Sequence, residues 1–359
     1  MESKKQAKNC FYTVKATRPA VLMVTPFHKQ IRGNAITAAR IRTGMENLGW
    51  QVNIYSLENR RQAICNLKRE AVQGGYGMIH GFHAAHISKI FSEIPELRQR
   101  PLLLTMTGTD LHSLRMEKNT EMISAALDLA SAVTVFNSSE VSFLSRICPA
   151  WAEKITVIPQ GVVLQNGRTL TREELGMSEK EFIFILPSGL RAIKDIDMAV
   201  DGINIINESG YRAKLLIVGP AIELNYTDRL IRRFNLNPEI KYLGAIDHID
   251  MKPLLLLTDV VINCSQSEGQ PQALLEAMSL GKPCILTPVP GNINLVENYQ
   301  EGIYVQNAKE MALAMEFYLK EPAQIKTMGQ AAQELVAKQF SAHTEIAAYN
   351  TLYQQIISY

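Results

Sequence analysis

One segment of the sequence places two glutamates, a glycine and two helix-boundary residues in an order that suits ligand binding. Glu268 and Glu276 are separated by seven residues, and Gly269 follows the first glutamate directly. Pro271 suits the first position of a helix and Gly281 the position just past its end, so the segment predicts a strand, a loop and a helix. Backbone N–H groups at a helix start bind phosphate or hydroxyl oxygens, and a carboxylate accepts hydrogen bonds from sugar hydroxyls.

Glu276 has apolar neighbours on both sides, so its helix is expected to be largely buried. An unpaired charge is costly in such a place, which favours a ligand for this carboxylate over an ordinary position on the helix surface. Ser267 and Gln270 lie on either side of Glu268 and Gly269 in the preceding loop and are expected to bind the same ligand. A nucleotide-sugar offers the ribose hydroxyls, the sugar hydroxyls and the phosphates that this segment can bind.

Cleavage of a nucleotide-sugar leaves negative charge on the diphosphate, which fixed cations stabilise. Arg191 and Lys194 follow a predicted strand and are the candidates for this task. Asp195 and Asp197 resemble a metal-binding pair, but their place at the start of a predicted helix favours capping instead. We therefore expect no metal and no cofactor, with the nucleotide-sugar acting as a co-substrate.

Short β-rich apolar runs alternate with longer segments of helical period along the chain, which predicts parallel sheets covered by helices. A polar stretch from 163 to 180 interrupts the pattern. The expected fold class is α/β, with two doubly wound Rossmann-like domains at 1–163 and 164–325 that face each other across a cleft, and C-terminal helices at 326–359 that pack back toward the first domain. Ligands of such sheets bind at the carboxyl ends of the strands.

The predicted strands fall into two series. In the first half they are Ala20–Thr25, Val52–Ser56, Met78–Gly81, Leu102–Met106, Val133–Phe136 and Ile155–Ile158. In the second half they are Phe182–Leu186, Lys214–Val218, Ile240–Leu243, Val260–Asn263 and Cys284–Thr287. Neither a GxxxxGK[ST] phosphate loop nor a GxGxxG fingerprint occurs, which argues against ATP hydrolysis and nicotinamide chemistry.

The composition excludes several classes of protein. A chain of 359 residues, 47% of them hydrophobic, is long enough for two domains. Its formal charge of +2 is too near balance for a nucleic-acid-binding protein and fits a small, anionic substrate better. The basic start, Met1–Asn9, has no apolar run after it, and no segment is long enough to span a bilayer, so we predict a cytoplasmic protein without membrane contact. The five cysteines are scattered, without CxxC spacing, and are expected to be free.

The string from Arg32 to Arg40 follows the first predicted strand and opens a helix. Glycine permits close approach of a backbone, so the N–H group of Gly33 is expected to meet the donor across the cleft, together with Asn34.

The run Thr107, Gly108, Thr109 and Asp110 follows the fourth predicted strand and therefore lies at the cleft. Asp110 is expected either to act on the sugar or the acceptor or to cap the next helix, and both alternatives stay open. Thr107 and Thr109 are expected on the acceptor side.

Three histidines, His80, His83 and His86, lie where the third strand should end. Residues three apart point to opposite faces of a strand and no acidic or Cys ligand accompanies them, which argues against zinc. His83 is a candidate for the acceptor side, and packing is the alternative for all three.

The two glutamates form the E-x7-E pattern of glycosyltransferase family 4, also described as glycosyl transferases group 1, whose members adopt the two-domain GT-B fold. Further strings resemble this family in the same order, so that the resemblance spans most of residues 155–305: Ile185–Asp195, Leu216–Pro220, Tyr242–Gly244, Thr258–Val261 and Pro290–Asn292. The resemblance implies that Glu276 binds the ribose, that Glu268 lies near the transferred sugar, and that Gly189 and Gly219 line the donor site.

Narrower similarities and two departures accompany this resemblance. The Gly33 string and the residues around Gly189 look like the glycosyltransferase 1 domain-containing protein 1 group, with some similarity to the bacterial selenosugar synthases. Many family members have arginine where this chain has Gly189, and histidine where it has Thr107. Arg191 is therefore a shifted candidate, and a histidine-assisted mechanism at position 107 is absent.

The resemblance implies a metal-independent retaining hexosyltransferase that uses a nucleotide-sugar, expected to be a UDP-sugar, and an unidentified acceptor. One alternative is a selenosugar or thiosugar synthase that uses a UDP-sugar and a small anionic nucleophile. The other is a nucleotide-sugar-binding protein without catalytic activity.

Overall fold

A computed structural model describes residues 19–26, 33–58 and 60–358. The basic start of the chain, Cys10 and Arg32 lie outside the described residues. None of the helices in the described ranges combines the length and the apolar character that crossing a bilayer requires.

The first half contains a sheet of six parallel strands, which pair in the order β2-β1-β3-β4-β5-β6. Apolar side chains cover both faces of this sheet, as expected when helices pack on each side. The strands are β1 (Ala20–Thr25), β2 (Val52–Ser56), β3 (Tyr76–Phe82), β4 (Leu102–Thr105), β5 (Ala132–Val135) and β6 (Ile155–Val157).

The second half contains another sheet of six parallel strands, in the order β12-β11-β10-β7-β8-β9. Its strands are β7 (Phe182–Pro187), β8 (Ala213–Val218), β9 (Ile240–Tyr242), β10 (Val260–Asn263), β11 (Cys284–Leu286) and β12 (Gly302–Tyr304). The sequence did not predict β12, because this edge strand has three residues and begins with a glycine. A Cβ atom at Gly302 would lie 2.3 Å from Cys284 Sγ, so the close pairing of β12 with β11 requires this glycine.

Helices cover both sheets, and the predicted α/β fold with two doubly wound sheets is confirmed. Those of the first half are α1 (Gly33–Asn47), α2 (Arg60–Gln73), α3 (Ala84–Glu93), α4 (Gly108–Arg115), α5 (Thr120–Leu129) and α6 (Ser138–Ile147). The second half and the C-terminal part contain α7 (Ile196–Glu208), α8 (Leu224–Asn235), α9 (Met251–Leu256), α10 (Gln272–Ser279), α11 (Ala308–Lys320), α12 (Pro322–Gln339) and α13 (Ala342–Ser358).

The last two helices pack against different halves: α12 contacts α10, whereas α13 contacts α1 and β3. Two buried polar contacts hold α13 in place. Arg40 forms an ion pair with Glu345 at 2.7 Å, and His80 Nδ1 lies 2.7 Å from the Tyr353 hydroxyl. The domain boundaries stay a prediction, but α13 belongs to the core of the first sheet.

Candidate active site

The loop between β10 and α10 surrounds the carboxylate of Glu268 with donors. Glu268 Oε1 accepts hydrogen bonds from Ser265 Oγ at 2.6 Å and from Asn263 Nδ2 at 3.1 Å, and it forms an ion pair with Lys194. Burial raises the pKa of Glu268, but the charge of Lys194 and these hydrogen bonds outweigh it and hold the pKa below its ordinary value. Glu268 is therefore an ionised acceptor for hydroxyl groups.

Lys194 ends a 3₁₀ turn at Ala192–Lys194, which follows Arg191 in the connection after β7. The fold thus brings Lys194 to Glu268 as a cation at the donor loop. Arg191 is half-buried, and its Nε atom has no hydrogen-bond partner within the described part of the chain. A buried guanidinium nitrogen without an acceptor is costly, so this side chain is suited to an anionic ligand.

Asp195 and Asp197 lie at the start of α7 as predicted, with Asp197 in its first turn, but neither makes the capping hydrogen bond of an N-cap side chain. Asp195 occupies the N-cap position of α7, but its φ is 43° and its side chain makes no capping hydrogen bond. Asp197 forms ion pairs with Arg229 at 2.6 Å and with Arg233. These charge-assisted hydrogen bonds attach α8 to α7.

Glu276 lies on α10 and is 3% exposed. His248 Nε2 lies 2.9 Å from Glu276 Oε1, so the carboxylate has a partner across the loop that follows β9. The sequence analysis missed His248. The one feature that could have indicated it is its position after a strand of the second sheet, where ligand-binding residues lie. The helix begins at Gln272, one residue later than predicted, because Pro271 has a ψ of 75° and is the N-cap. Gly281 follows the helix with a φ of 76°, as predicted.

Gly189 and Gly219 lie side by side at the carboxyl ends of β7 and β8. A Cβ atom at Gly219, where φ is +153°, would lie 2.2 Å from Ser188 O, and one at Gly189 would lie 2.6 Å from Ile222 Cδ1. The backbone of Gly219 also accepts a hydrogen bond from the Tyr242 hydroxyl at 2.8 Å. Close backbone packing therefore requires glycine at position 219, whereas the neighbour of Gly189 is the end of a flexible side chain.

Gly269 and Gln270 connect the donor loop to the first half. A Cβ atom at Gly108 would lie 2.5 Å from Gly269 N, and Asn137 Nδ2 donates to Gly269 O at 3.0 Å. The side-chain amide of Gln270 pairs with the backbone of Gln160 through two hydrogen bonds of 2.9 Å. These contacts close the site between the two halves, and the sequence could not show them because their partners are far apart along the chain.

Ser267 is 9% exposed, and its Oγ atom has no hydrogen-bond partner in the described ranges. An orphaned buried hydroxyl next to Glu268 is consistent with a site that a ligand completes.

Gly33 and Asn34 begin α1, and no described heavy atom lies within 4 Å of the position of a Cβ at Gly33. The contact of both residues with the donor stays a prediction. The later part of the same string has a structural role. Thr37 donates to Gln160 Oε1, and Arg40 binds Glu345.

On the acceptor side, Thr107 and Asp110 form a capping box at the start of α4. Thr107 N donates to Asp110 Oδ2 at 3.1 Å, and His83 Nδ1 lies 2.8 Å from Asp110 Oδ1. Asp110 is 0% exposed and makes the predicted cap, while its action on the sugar or the acceptor stays a prediction. His83 has a φ of 72°, in a region that costs a residue with a side chain about 1–3 kcal/mol.

The three histidines lie in different environments. His80 is fully buried, and burial lowers its pKa to about 3. His83 and His86 make an edge-to-face ring contact at 4.5 Å between centroids. Within the described ranges, no three or more His, Cys, Asp or Glu side chains lie close enough to hold a metal ion. The expectation of a metal-free site stays a prediction.

The chain is similar to proteins of one class over most of its length. Residues 167–335 match the family model described as glycosyl transferases group 1. N-acetyl-alpha-D-glucosaminyl L-malate synthase from Bacillus anthracis is 26% identical over 263 residues, which cover 71% of this chain and 68% of that protein. Glycosyltransferase 1 domain-containing protein 1 from Xenopus tropicalis is 23% identical over 253 residues, 68% of this chain and 73% of that protein.

Solved structures share the fold. Sucrose-phosphate synthase from Thermosynechococcus elongatus superposes with a TM-score of 0.79 at 17% identity, over 95% of this chain and 100% of that structure. HepE from Anabaena, solved in complex with UDP-glucose, gives a TM-score of 0.77 at 18% identity, over 94% of this chain and 100% of that structure. Residues 167–335 therefore form a domain of the glycosyl transferases group 1 family, in a chain with the GT-B fold of glycosyltransferases.

Proposed function

We propose that this glycosyltransferase transfers a hexosyl unit from a UDP-sugar to a hydroxylated acceptor, with retention of configuration and without a metal ion. The observation that carries the proposal is the pair of glutamates on one segment, Glu268 beside Lys194 and the buried Glu276 beside His248. The similarity in fold to a protein solved with UDP-glucose supports the choice of donor. A cytoplasmic location, expected from the sequence, stays a prediction.

Each donor-site residue has a distinct task in this proposal. Glu276 accepts hydrogen bonds from the two ribose hydroxyls, and Glu268 accepts them from hydroxyls of the transferred sugar. Arg191 and Lys194 bind the diphosphate, where negative charge develops as the bond to the sugar breaks. Gly33, at the start of α1, approaches the donor from the other side of the cleft.

The proposed reaction needs no dedicated protein base. The bond from the sugar C1 to the diphosphate oxygen breaks while the acceptor oxygen forms a bond to C1 on the same face. The acceptor's hydroxyl proton passes to an oxygen of the departing diphosphate. The protein positions both substrates and stabilises the leaving group. These two effects contribute most to lowering the activation barrier of such reactions.

Donor hydrolysis tests catalysis without knowledge of the acceptor. We expect the wild type to release UDP slowly from a UDP-hexose, and Glu268→Gln to reduce this rate at least a hundredfold, because the carboxylate is replaced by a neutral amide. Glu208→Gln, an exposed carboxylate at the end of α7, is the matched control. A wild type that binds the donor and never hydrolyses it supports the non-catalytic alternative, and transfer to selenophosphate but to no hydroxyl supports a selenosugar synthase.

A further inference from the structure

The first half contains a cavity of about 610 Å³ beside α3, α4 and α5. This volume is typical of a site for a small molecule. Its lining includes polar side chains from α3 and α4 and from the residues before α3 and α5, among them His83, His86, Lys89, Thr109, Ser113 and Asn119.

The cavity adjoins the donor loop. Thr109 lines it and directly follows Gly108, the residue that packs against Gly269. A Cβ atom at Gly108 would lie 3.3 Å from the carbonyl carbon of Glu268, so one end of the cavity is next to the residue proposed to bind the transferred sugar. A molecule in the cavity can therefore present a hydroxyl group to the donor.

His83 is held for ligand binding at this end of the cavity. Its Nδ1 atom lies 2.8 Å from Asp110 Oδ1 without forming a hydrogen bond, and its side chain lines the cavity. The backbone of His83 adopts a φ of 72° to place the ring there. Strained backbone that the surrounding contacts enforce is common at binding sites.

The charges of the cavity favour an anion. Lys89 lies three residues after His86 on α3, so the two side chains share one face of that helix. Lys89 is exposed and has no carboxylate within ion-pair distance among the described residues. The acidic residue at the cavity, Glu93, is already engaged in an interaction. An unpaired ammonium group is suited to a carboxylate or a phosphate.

We propose that this cavity is the acceptor site and that the acceptor is a small hydroxylated anion, whose anionic group binds Lys89 and whose hydroxyl group binds His83. The inference rests on the proposed function, because it assigns the acceptor of the same reaction. Carboxylates and phosphates both carry the negative charge that this site requires. Titration with one ligand of each kind distinguishes them.

Calorimetric titration of the UDP-saturated protein tests the proposal. The probes are D-glycerate and glycerol 3-phosphate, each compared with glycerol. We expect one or both anions to bind the wild type, and Lys89→Met to weaken this binding about tenfold or more, because one charge-assisted contact is lost. Lys89→Arg should restore most of the affinity. Lys309→Met, which removes an exposed lysine on α11, should have no effect.

The result overturns the proposal if neither anion binds the wild type, if Lys89→Met binds them as well as the wild type does, or if glycerol binds as tightly as both anions. Titration with UDP alone, performed first on every variant, keeps this outcome separate from the proposed function. Failure to bind UDP contradicts the donor assignment, whereas normal UDP binding without anion binding contradicts the acceptor site alone.

Discussion

At the residue scale, the ion pair between Lys194 and Glu268 brings a cation and an anion together at the donor loop. The spacing of the two glutamates and the register of Lys194 were readable from the sequence because they are local patterns. The partners of these residues were not: His248 is 28 residues from Glu276 along the chain. The shifted Arg191 remains a prediction for the diphosphate, and its unpaired Nε atom supports it.

The pH dependence of donor hydrolysis tests the Lys194–Glu268 pair. The folded-state pKa of Glu268 lies below the ordinary 4.5, so its contribution to stability is present above pH 4.5 and is lost as the pH falls through the lower folded value. In Lys194→Met the pKa of Glu268 should rise, because burial then dominates.

We therefore expect the acid limb of the hydrolysis rate to move to higher pH in Lys194→Met, together with a rate reduced about a hundredfold at neutral pH. Lys309→Met serves again as the control. An unchanged acid limb in Lys194→Met, measured over the same pH range, contradicts the proposed electrostatic role.

At the element scale, the alternating apolar pattern predicted eleven of the twelve described strands and the order strand, loop and helix around Glu268. Element ends were less readable, because they depend on tertiary contacts. Pro271 precedes α10 rather than beginning it, and α3 starts after His83, whose backbone conformation no sequence pattern indicates. The close approach of α4 to the donor loop also depends on tertiary packing, through Gly108 and Gly269.

Gly108→Ala tests the contact between α4 and the donor loop. The new Cβ atom would lie 2.5 Å from Gly269 N, and neither backbone can move without displacing its neighbours. We expect the hydrolysis rate to fall at least tenfold, because small displacements of catalytic groups are costly, while the Kd for UDP changes little.

Gly75→Ala is the matched control, since no described heavy atom lies within 4 Å of a Cβ atom there. If Gly108→Ala hydrolyses the donor as fast as Gly75→Ala, the two halves do not need this close contact for catalysis.

At the scale of the whole molecule, two doubly wound sheets place the carboxyl ends of their strands at one site. The periodicity of the sequence predicted this architecture, because buried parallel strands and amphipathic helices have different apolar patterns. It did not identify the polar contacts that fix α13 on the first sheet. Tyr353 and Glu345 are separated from His80 and Arg40 by most of the chain.

Tyr353→Phe should lower the free energy of unfolding by about 1–3 kcal/mol, because it leaves the buried His80 Nδ1 atom without a partner. Chemical denaturation measures this change, and Tyr299→Phe, at an exposed tyrosine, should be neutral. The folded-state pKa of His80 is about 3, below the ordinary 6.5, so the unfolded chain takes up a proton at this ring before the folded protein does. The free energy of unfolding should therefore fall progressively as the pH drops below 6.5. Equal denaturation midpoints for Tyr353→Phe and the wild type contradict the role of this contact.

The central claim is that Glu276 binds the ribose of a nucleotide-sugar, and the binding of UDP-hexoses measured by calorimetry tests it most directly. We predict that the wild type binds a UDP-hexose and that Glu276→Gln weakens binding about tenfold to a hundredfold, because hydrogen bonds to a charged group are lost. Glu208→Gln should bind like the wild type. No binding of any UDP-, GDP- or ADP-sugar to the wild type, or equal affinities for Glu276→Gln and Glu208→Gln, would contradict the account.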